Sequence, residues 1–372
     1  MYEQGKISVT QLFLWMLIYF TAASSSNSLD ILFTRQDSFI ANLLSIVPGI
    51  LTVYLMVVLQ KKYPGLSFFE MCEEILGKWP GTIINAIFVY FALEVCLFYA
   101  RGFGEFMMST MTPELSVDLY LISIVLVGAF GVYLGIEAIA RVSQLLFPFY
   151  VLLLIIINVL LVRQFHLDNV LPLIDHKMGE IFYSTYLQYV FPMGEAIFFI
   201  GVLPYVKKSK HVFKAVAGSL ILAGIFLAYR AVVSIGVLGQ ATALASNYPF
   251  FNAIRLVKIG EFIERIDLLF LSIFAMAVLI QFITVYYFIS HGIAHIFKVK
   301  RLKPLLVPVA IFVYALAKAA NTNIVDINHY LMFIRPITGP IYMLVLPALL
   351  LVVSKIRKPR ASQADLTPFL EK

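Results

Sequence analysis

An acidic residue stands beside two helix breakers in the middle of an apolar run of membrane length, Thr185 to Val206 (TYLQYVFPMGEAIFFIGVLPYV). Pro192 has no backbone N–H, and Gly194 adds conformational freedom, so we expect the helix to split near residues 191–195. A carboxylate at membrane depth indicates a functional site. The alternative is a proline kink in which a neighbouring helix satisfies Glu195. The candidate ligand-binding residues are Pro192, Met193, Gly194 and Glu195.

A second interruption lies in the first apolar span, at Thr21 to Ser28 (TAASSSNS). Hydroxyl side chains and Asn27 compete with the helix for backbone hydrogen bonds. Where a helix is broken, its half-helix N-termini offer N–H groups to an anion, and its C-termini offer carbonyls to a cation. The alternative is that a serine-rich stretch is simply tolerated in a membrane helix. The candidate ligand-binding residues here are Ala23, Ser24, Ser25 and Ser26.

Charged residues inside the other spans are candidates for a site or for structural pairing. Glu94 and Arg101 lie two turns apart and share a helix face, and Glu105 continues that face. An unpaired charge at mid-bilayer costs at least about 3 kcal/mol, so we expect Glu94 to face the protein interior, toward Arg230 in a later span. Structural pairing and a gating or proton-linked pair are both consistent with this pattern.

Neutral polar residues occur in the eighth span. Thr284 and Gln281 are predicted either to line the same cavity or to hydrogen-bond within the bundle. His291 and His295 lie one turn apart, but no further ligand pattern accompanies them, so no metal site is predicted.

The sequence contains no pattern that predicts an enzyme or a cofactor. It lacks a nucleophile elbow, a phosphate-binding loop and a catalytic cysteine with its histidine. Its two cysteines, Cys72 and Cys96, fall in a loop and in a span, and their spacing suits neither a disulfide nor a metal.

Composition places the chain among polytopic membrane proteins. Hydrophobic residues make up 61% of it, charged residues 13%, and the mean hydropathy is +0.91. The net charge of +7 is explained by basic cytoplasmic loops, and no basic and aromatic surface suggests nucleic-acid binding. The apolar run at residues 12–20 resembles a signal peptide, but its weak basic flank favours a retained first helix.

Apolar windows predict ten transmembrane helices in an all-α fold. Basic clusters at residues 61–78, 207–214, 298–303 and 355–360 all fall on the side of the N-terminus, which predicts that both termini are cytoplasmic. The predicted spans lie near residues 9–31, 39–59, 81–101, 117–136, 143–162, 185–206, 212–238, 267–296, 304–320 and 336–354.

Two loops are predicted to be structured. Residues 61–81 read as an amphipathic helix that ends at Gly77. Residues 241–265 are long enough to fold over a cavity mouth as a lid, or to form an interfacial helix.

Both interrupted spans occupy equivalent positions if the ten helices form two repeats of five. An odd number of helices inverts the second repeat, and paired broken helices then mark a midplane binding site. We therefore predict one transmembrane domain, residues 1–372, with repeat one at 9–162, repeat two at 185–354 and a tail at 355–372.

The order and spacing of several short motifs resemble the spore germination permease family, the B subunits of endospore germinant receptors within the amino acid, polyamine and organocation transporters. The motifs are ISVTQLF at Ile7, KKYPGLSFFE through ILGKWPG at 61–81, ARGFGEF at 100–106, MTP at 111–113, GIEAIAR at 135–141, DNVLPL at 168–173, FPMGE at 191–195, LPYVKKSK at 203–210 and FIERIDLLF at 262–270. The family is similar to the leucine-transporter fold. This chain departs from it in one feature, since many relatives carry a glycine-rich break ending in proline where this sequence has AASSSNS.

The resemblance implies a spore inner membrane or bacterial cell membrane protein that is not an enzyme. It implies a pocket for a small nutrient, above all an amino acid, between the two broken regions, and partner subunits of the A and C types. Arg101, Glu105, Glu264 and Arg265 match family positions and are expected to be structural. The alternative function is a proton- or sodium-coupled transporter of amino acids, with Glu195 or Glu94 as the proton carrier. A channel is a third class.

Overall fold

The computed structural model describes residues 5–22, 29–207, 210–257, 266–320 and 323–356. Within these ranges the protein is helical, apart from loops and one isolated parallel bridge between Ile7 and Val206. The helices are α1 Val9–Ala22, α2 Leu29–Thr34, α3 Ser38–Lys62, α4 Phe68–Leu76, α5 Lys78–Thr110, α6 Val117–Leu134, α7 Ile136–Leu161, α8 Met178–Val190, α9 Val212–Leu238, α10 Gln240–Ala245, α11 Pro249–Arg255, α12 Ile266–Ile296, α13 Lys303–Ala319, α14 Ile324–His329, α15 Arg335–Pro340 and α16 Leu346–Ile356.

Seven helical stretches of the described residues are long and apolar enough to cross a membrane. Three further predicted spans correspond to shorter elements. They are α1 with 14 residues, α8 with 13 residues and α13 with 17 residues. The protein is therefore an all-helical, multi-pass membrane protein.

The last span is longer than the apolar pattern predicts. The helical stretch runs from Ile324 to Ile356, whereas the sequence predicts residues 336–354. Two π-helical turns, Tyr330–Ile334 and Ile341–Val345, separate α14, α15 and α16. As a result Arg335 lies inside the span and not at its end.

The interrupted elements occupy the middle of the bundle. Helix α1 packs against α7, α9 and α12, and the segment that follows α8 packs against α3 and α12. Helices α6 and α7 are the least buried of the long spans, as expected of helices that face lipid. The buried polar side chains of the central elements must therefore find partners inside the protein.

The two loops predicted to be structured are both helical. Helix α4 begins with a capping box between Ser67 and Glu70 and ends at Gly77, whose φ of 91° suits a residue without a Cβ. Helices α10 and α11 occupy the first part of the predicted lid, and the side chains of Tyr248, Phe250 and Phe251 are buried. Helix α11 packs on α9, so the structure favours a lid and not an interfacial helix for this loop.

Candidate functional site

The sixth predicted span breaks where the sequence places the break. Helix α8 ends at Val190, Phe191 is extended, and a 3₁₀-helix runs from Met193 to Gly201. Pro192 supplies no N–H to continue α8, and its carbonyl accepts the N–H of Glu195 at 3.0 Å. The break therefore puts the Glu195 side chain at the centre of the bundle, where it is fully buried.

Glu195 is held by side chains from three other spans. One carboxylate oxygen, Oε1, accepts a hydrogen bond from Arg335 Nη2 at 2.5 Å. The other, Oε2, accepts from the hydroxyl of Tyr19 at 2.9 Å and from the hydroxyl of Tyr99. Because every carboxylate oxygen has a charged or polar donor, the buried charge is compensated.

Arg335 owes its position to the irregular backbone of the last span. The π-turn ending at Ile334 brings the guanidinium back to Tyr330, whose hydroxyl accepts from Nη1 at 3.2 Å. The guanidinium also lies 4.8 Å above the centre of the Phe91 ring, a cation–π arrangement. The interaction therefore joins the broken sixth span to α5 and to the last span.

The prolines that follow Arg335 add a link to α8. Pro340 has no N–H to donate to the carbonyl of Pro336, four residues earlier. The hydroxyl of Tyr186 donates to that carbonyl instead. This bond fastens the last span to the helix that ends at the break.

Helix α1 is fixed against α12 by two buried hydrogen bonds. The indole of Trp15 donates to Thr284 Oγ1 at 2.8 Å. Gln281 Nε2 donates to the carbonyl of Tyr19 at 2.7 Å. Both bonds set the position of the Tyr19 side chain relative to Glu195.

A narrow cavity of about 30 Å³, close to the volume of one water molecule, lies beside this network. Its walls come from α1, α5, α12 and the turn before α11, and they are mainly aromatic. Tyr99 belongs to both places, since its ring lines the cavity and its hydroxyl binds Glu195. The described lining residues are Ala22, Phe98, Tyr99, Gly102, Phe103, Phe106, Tyr248, Phe274, Val278 and Gln281.

Three polar side chains are among the described residues that line the cavity, those of Tyr99, Tyr248 and Gln281. Burial raises the pKa of Tyr248 to about 12, so its hydroxyl stays protonated near neutral pH. Tyr99 and Gln281 also line the cavity, but the Tyr99 hydroxyl donates to Glu195 and the Gln281 amide donates to the carbonyl of Tyr19. No charged side chain is among the described residues that line the cavity, so its surface is mainly apolar.

The predicted site residues take several positions. Ala23, Ser24, Ser25 and Ser26 lie outside the described residues, and so do Glu264 and Arg265. Pro192, Met193 and Gly194 are buried at the break, where Met193 contacts Gly49 and Gly194 meets the side chain of Met343. Thr284 is buried against Trp15, and Glu94 is half-buried next to Tyr90, with Arg335 near enough to act on its charge.

The other charged residues of the spans form separate pairs. Arg230 bonds Asp30 at 3.2 Å, so its partner is not Glu94 as expected. Asn42 also donates to Asp30, at 2.6 Å. Arg101 and Glu105 form the internal ion pair that their spacing predicts, at 2.6 Å. His291 and His295 have different partners, the carbonyl of Tyr287 and the carboxylate of Glu73.

Sequence reasoning missed the residues that hold Glu195. Tyr19, Tyr99 and Tyr330 look like ordinary apolar positions of a span. Arg335 was detectable, because it is a charge between Tyr330 and Tyr342 in a run that is otherwise apolar, with two prolines nearby.

A broken membrane helix around a buried carboxylate, with a small cavity alongside, is the architecture of a secondary transporter. The fold agrees with this class. The chain superposes on Mhp1, a transporter of the nucleobase-cation-symport-1 family solved in a closed conformation with bromovinylhydantoin bound, with a TM-score of 0.59 over 93% of this chain and 80% of that one, at 14% identity.

The chain belongs to the spore germination protein family, whose sequence profile matches residues 6–325. Its relatives in Bacillus subtilis (strain 168) include spore germination protein KB, 25% identical over 97% of this chain and 98% of the relative. Spore germination protein YndE is 25% identical over 87% of this chain and 88% of the relative. The protein is therefore a multi-pass membrane protein of the spore germination protein family, with the fold of a transporter.

Proposed function

We propose that this protein is the membrane subunit of a spore germinant receptor that binds a small nutrient, an amino acid, at the centre of the bundle. Binding would close the spans around the ligand, and partner subunits of the A and C types would receive that movement. The observation that carries the proposal is the cavity beside Glu195, which shares Tyr99 with the buried ion network.

The proposed architecture is a leucine-transporter-like arrangement of ten spans in two inverted repeats, residues 9–162 and 185–354, with a cytoplasmic tail. The broken sixth span and the likeness to a transporter support it. We place both termini in the cytoplasm and the protein in the spore inner membrane, on the basis of the basic clusters and the family.

The proposed ligand contacts combine the cavity walls with the sequence candidates. Ala23 to Ser26 follow Ala22 directly in the chain, and Ala22 lines the cavity, so these residues are close enough in sequence to supply backbone groups to a carboxylate. The aromatic walls suit the apolar side chain of an amino acid. Tyr99 and Arg335 would pass the effect of the ligand to Glu195, to Glu94 and to the segment Pro192 to Gly194. Trp15 would pass it to Thr284.

Filling the cavity from Gly102 is expected to weaken ligand binding. A Cβ at this position meets nothing within 4 Å, so Gly102→Leu extends into open space. We expect the affinity for a germinant amino acid to fall at least about tenfold, because the side chain occupies the ligand volume. The measurement is a thermal-shift screen of the purified protein against the common amino acids, sugars and nucleosides.

Gly179→Leu is the matched control for this experiment. Its Cβ also meets nothing within 4 Å, but it lies at the exposed start of α8, away from the cavity. The control should respond to ligand as the wild type does. A Gly102→Leu protein that is stabilised by ligand to the same extent as the wild type would place the binding site elsewhere.

A proton- or sodium-coupled amino acid transporter is the second candidate function. It is favoured by the transporter fold and by a buried carboxylate at the helix break. Ligand-driven accumulation of an amino acid in liposomes by this chain alone would support transport and contradict a pure receptor. A receptor is expected to bind the ligand in that preparation without accumulating it.

A further inference from the structure

A large open groove lies on the face of the bundle that carries the N-terminus. It shares no lining residue with the central cavity. It has a volume of about 560 Å³ and lies between the residues before α1, the end of α3, the segment after the 3₁₀-helix and the start of α9. The spans that form it end here, so the groove lies where the bundle leaves the membrane.

The rim of the groove is basic. Lys6, Lys61 and Lys207 line it, and all three side chains are exposed. No acidic residue is among the described residues that line it. Glu137, which accepts the backbone N–H of Lys6, forms its ion pair with Arg141. The groove therefore presents three positive charges to an anion.

The floor of the groove is apolar. Val57, Leu203 and Val206 supply hydrocarbon surface. Gln60 also lines the groove, and its Oε1 is buried with no hydrogen-bond partner among the described residues, although its Nε2 donates to two carbonyls. This oxygen has almost no accessible surface, so the Gln60 amide holds the turn after α3 and lies out of reach of a ligand in the groove.

The groove continues toward the membrane along an aromatic pair. Tyr54 precedes Lys61 by two helical turns, about 10 Å along α3, and is half exposed. Its ring lies 6.2 Å from that of Phe213, next to Val212 in the groove wall. Aromatic rings at this depth are typical of the membrane interface and give an acyl chain a surface to lie against.

We propose that this groove binds an anionic phospholipid. The phosphate lies among Lys6, Lys61 and Lys207, and an acyl chain follows Tyr54 and Phe213. Juxtamembrane lysines attract anionic lipids in this way.

The bound lipid would hold the ends of the two central segments together. The residues before α1 and those after the 3₁₀-helix already meet there, because Ile7 N–H donates to Tyr205 at 3.0 Å and Lys207 N–H donates to Ile7 at 2.9 Å. Lys6 and Lys207 flank this bridge, so one phosphate that contacts both lysines resists its opening.

The test measures lipid affinity of the full chain by native mass spectrometry at low salt. We expect dioleoyl phosphatidylglycerol to bind the wild type on the order of 100-fold more tightly than phosphatidylcholine, at about fivefold for each lysine. K6Q/K61Q/K207Q should lose this preference. The matched control K78Q/K298Q/K300Q removes three exposed lysines that line other pockets, which also contain glutamates. This control should keep the preference for phosphatidylglycerol.

Further measurements test the need for an acyl chain and the effect of lipid binding on the protein. Glycerol 3-phosphate should neither bind nor compete, because it has no acyl chain. Phosphatidylglycerol should slow hydrogen exchange at residues 5–12 and 203–207 in the wild type and not in K6Q/K61Q/K207Q. An equal loss of preference in the control triple variant would mean that overall charge explains the lipid binding, and it would contradict the proposed site. Equal binding of phosphatidylglycerol and phosphatidylcholine by the wild type would also overturn the site.

Discussion

Replacing Glu195 with glutamine in the full-length chain is expected to destabilise the protein by about 3–5 kcal/mol, because the charge of Arg335 then stays buried without its counter-ion. The cation–π contact with Phe91 compensates at most about 2 kcal/mol of this. The ion pair therefore decides the outcome. The measurement is thermal unfolding of the purified protein in detergent.

The double variant Glu195→Gln/Arg335→Gln separates the ion pair from its two members. It buries no net charge, so we expect it to be more stable than either single variant. A double variant that loses the sum of the two single losses would mean that the residues do not interact. Lys318→Gln is the control, since it breaks an exposed pair with Asp118, and its melting temperature should match the wild type.

In the same three variants, the germination response should not follow the stability of the protein. The Glu195–Arg335 pair connects the broken span with the last span, and the double variant lacks that connection even though its fold recovers. We therefore expect the response to nutrient to be lost in both single variants and in the double variant. A double variant that germinates normally would restrict the pair to a structural role.

Replacing Gly81 with alanine is expected to destabilise the protein by about 1–3 kcal/mol through the contact between α4 and α5. The added Cβ would lie 2.5 Å from the Cα of Glu73 and 2.7 Å from the carbonyl oxygen of Cys72. These are backbone atoms, so no side-chain rotation relieves the clash and α4 must move. Helix propensity returns only about 1 kcal/mol, less than the clash costs.

Movement of α4 would also break two bonds that hold it. Thr82 donates to Glu73 at 3.0 Å, and Asn85 donates to the carbonyl of Phe69 at 3.0 Å. Gly102→Ala is the matched control in the same helix, because its Cβ meets nothing. Gly81→Ala should lower the melting temperature, whereas Gly102→Ala should leave it unchanged or raise it. Equal effects would show that α4 does not pack tightly on α5.

Sequence patterns predicted features that depend on neighbours along the chain. The apolar runs predicted a membrane bundle, Gly77 marks the end of α4, and Pro192 with Gly194 marks the break before Glu195. The order of short motifs predicted the family, which the profile match confirms. The ten spans, the inverted repeat and the ligand residues stay predictions.

By itself the sequence determined that the chain crosses a membrane, where its sixth span breaks and that a carboxylate stands at the break, because hydrophobicity, a missing N–H and a charge are properties of single residues and short windows. Only the tertiary structure decided that Arg335, 140 residues away, pairs with Glu195, that Arg230 pairs with Asp30, and that Tyr99 joins the network to the cavity. The spans are apolar on nearly every side, so their sequences do not show which faces meet. Partners across the bundle are fixed by the packing of all the helices together.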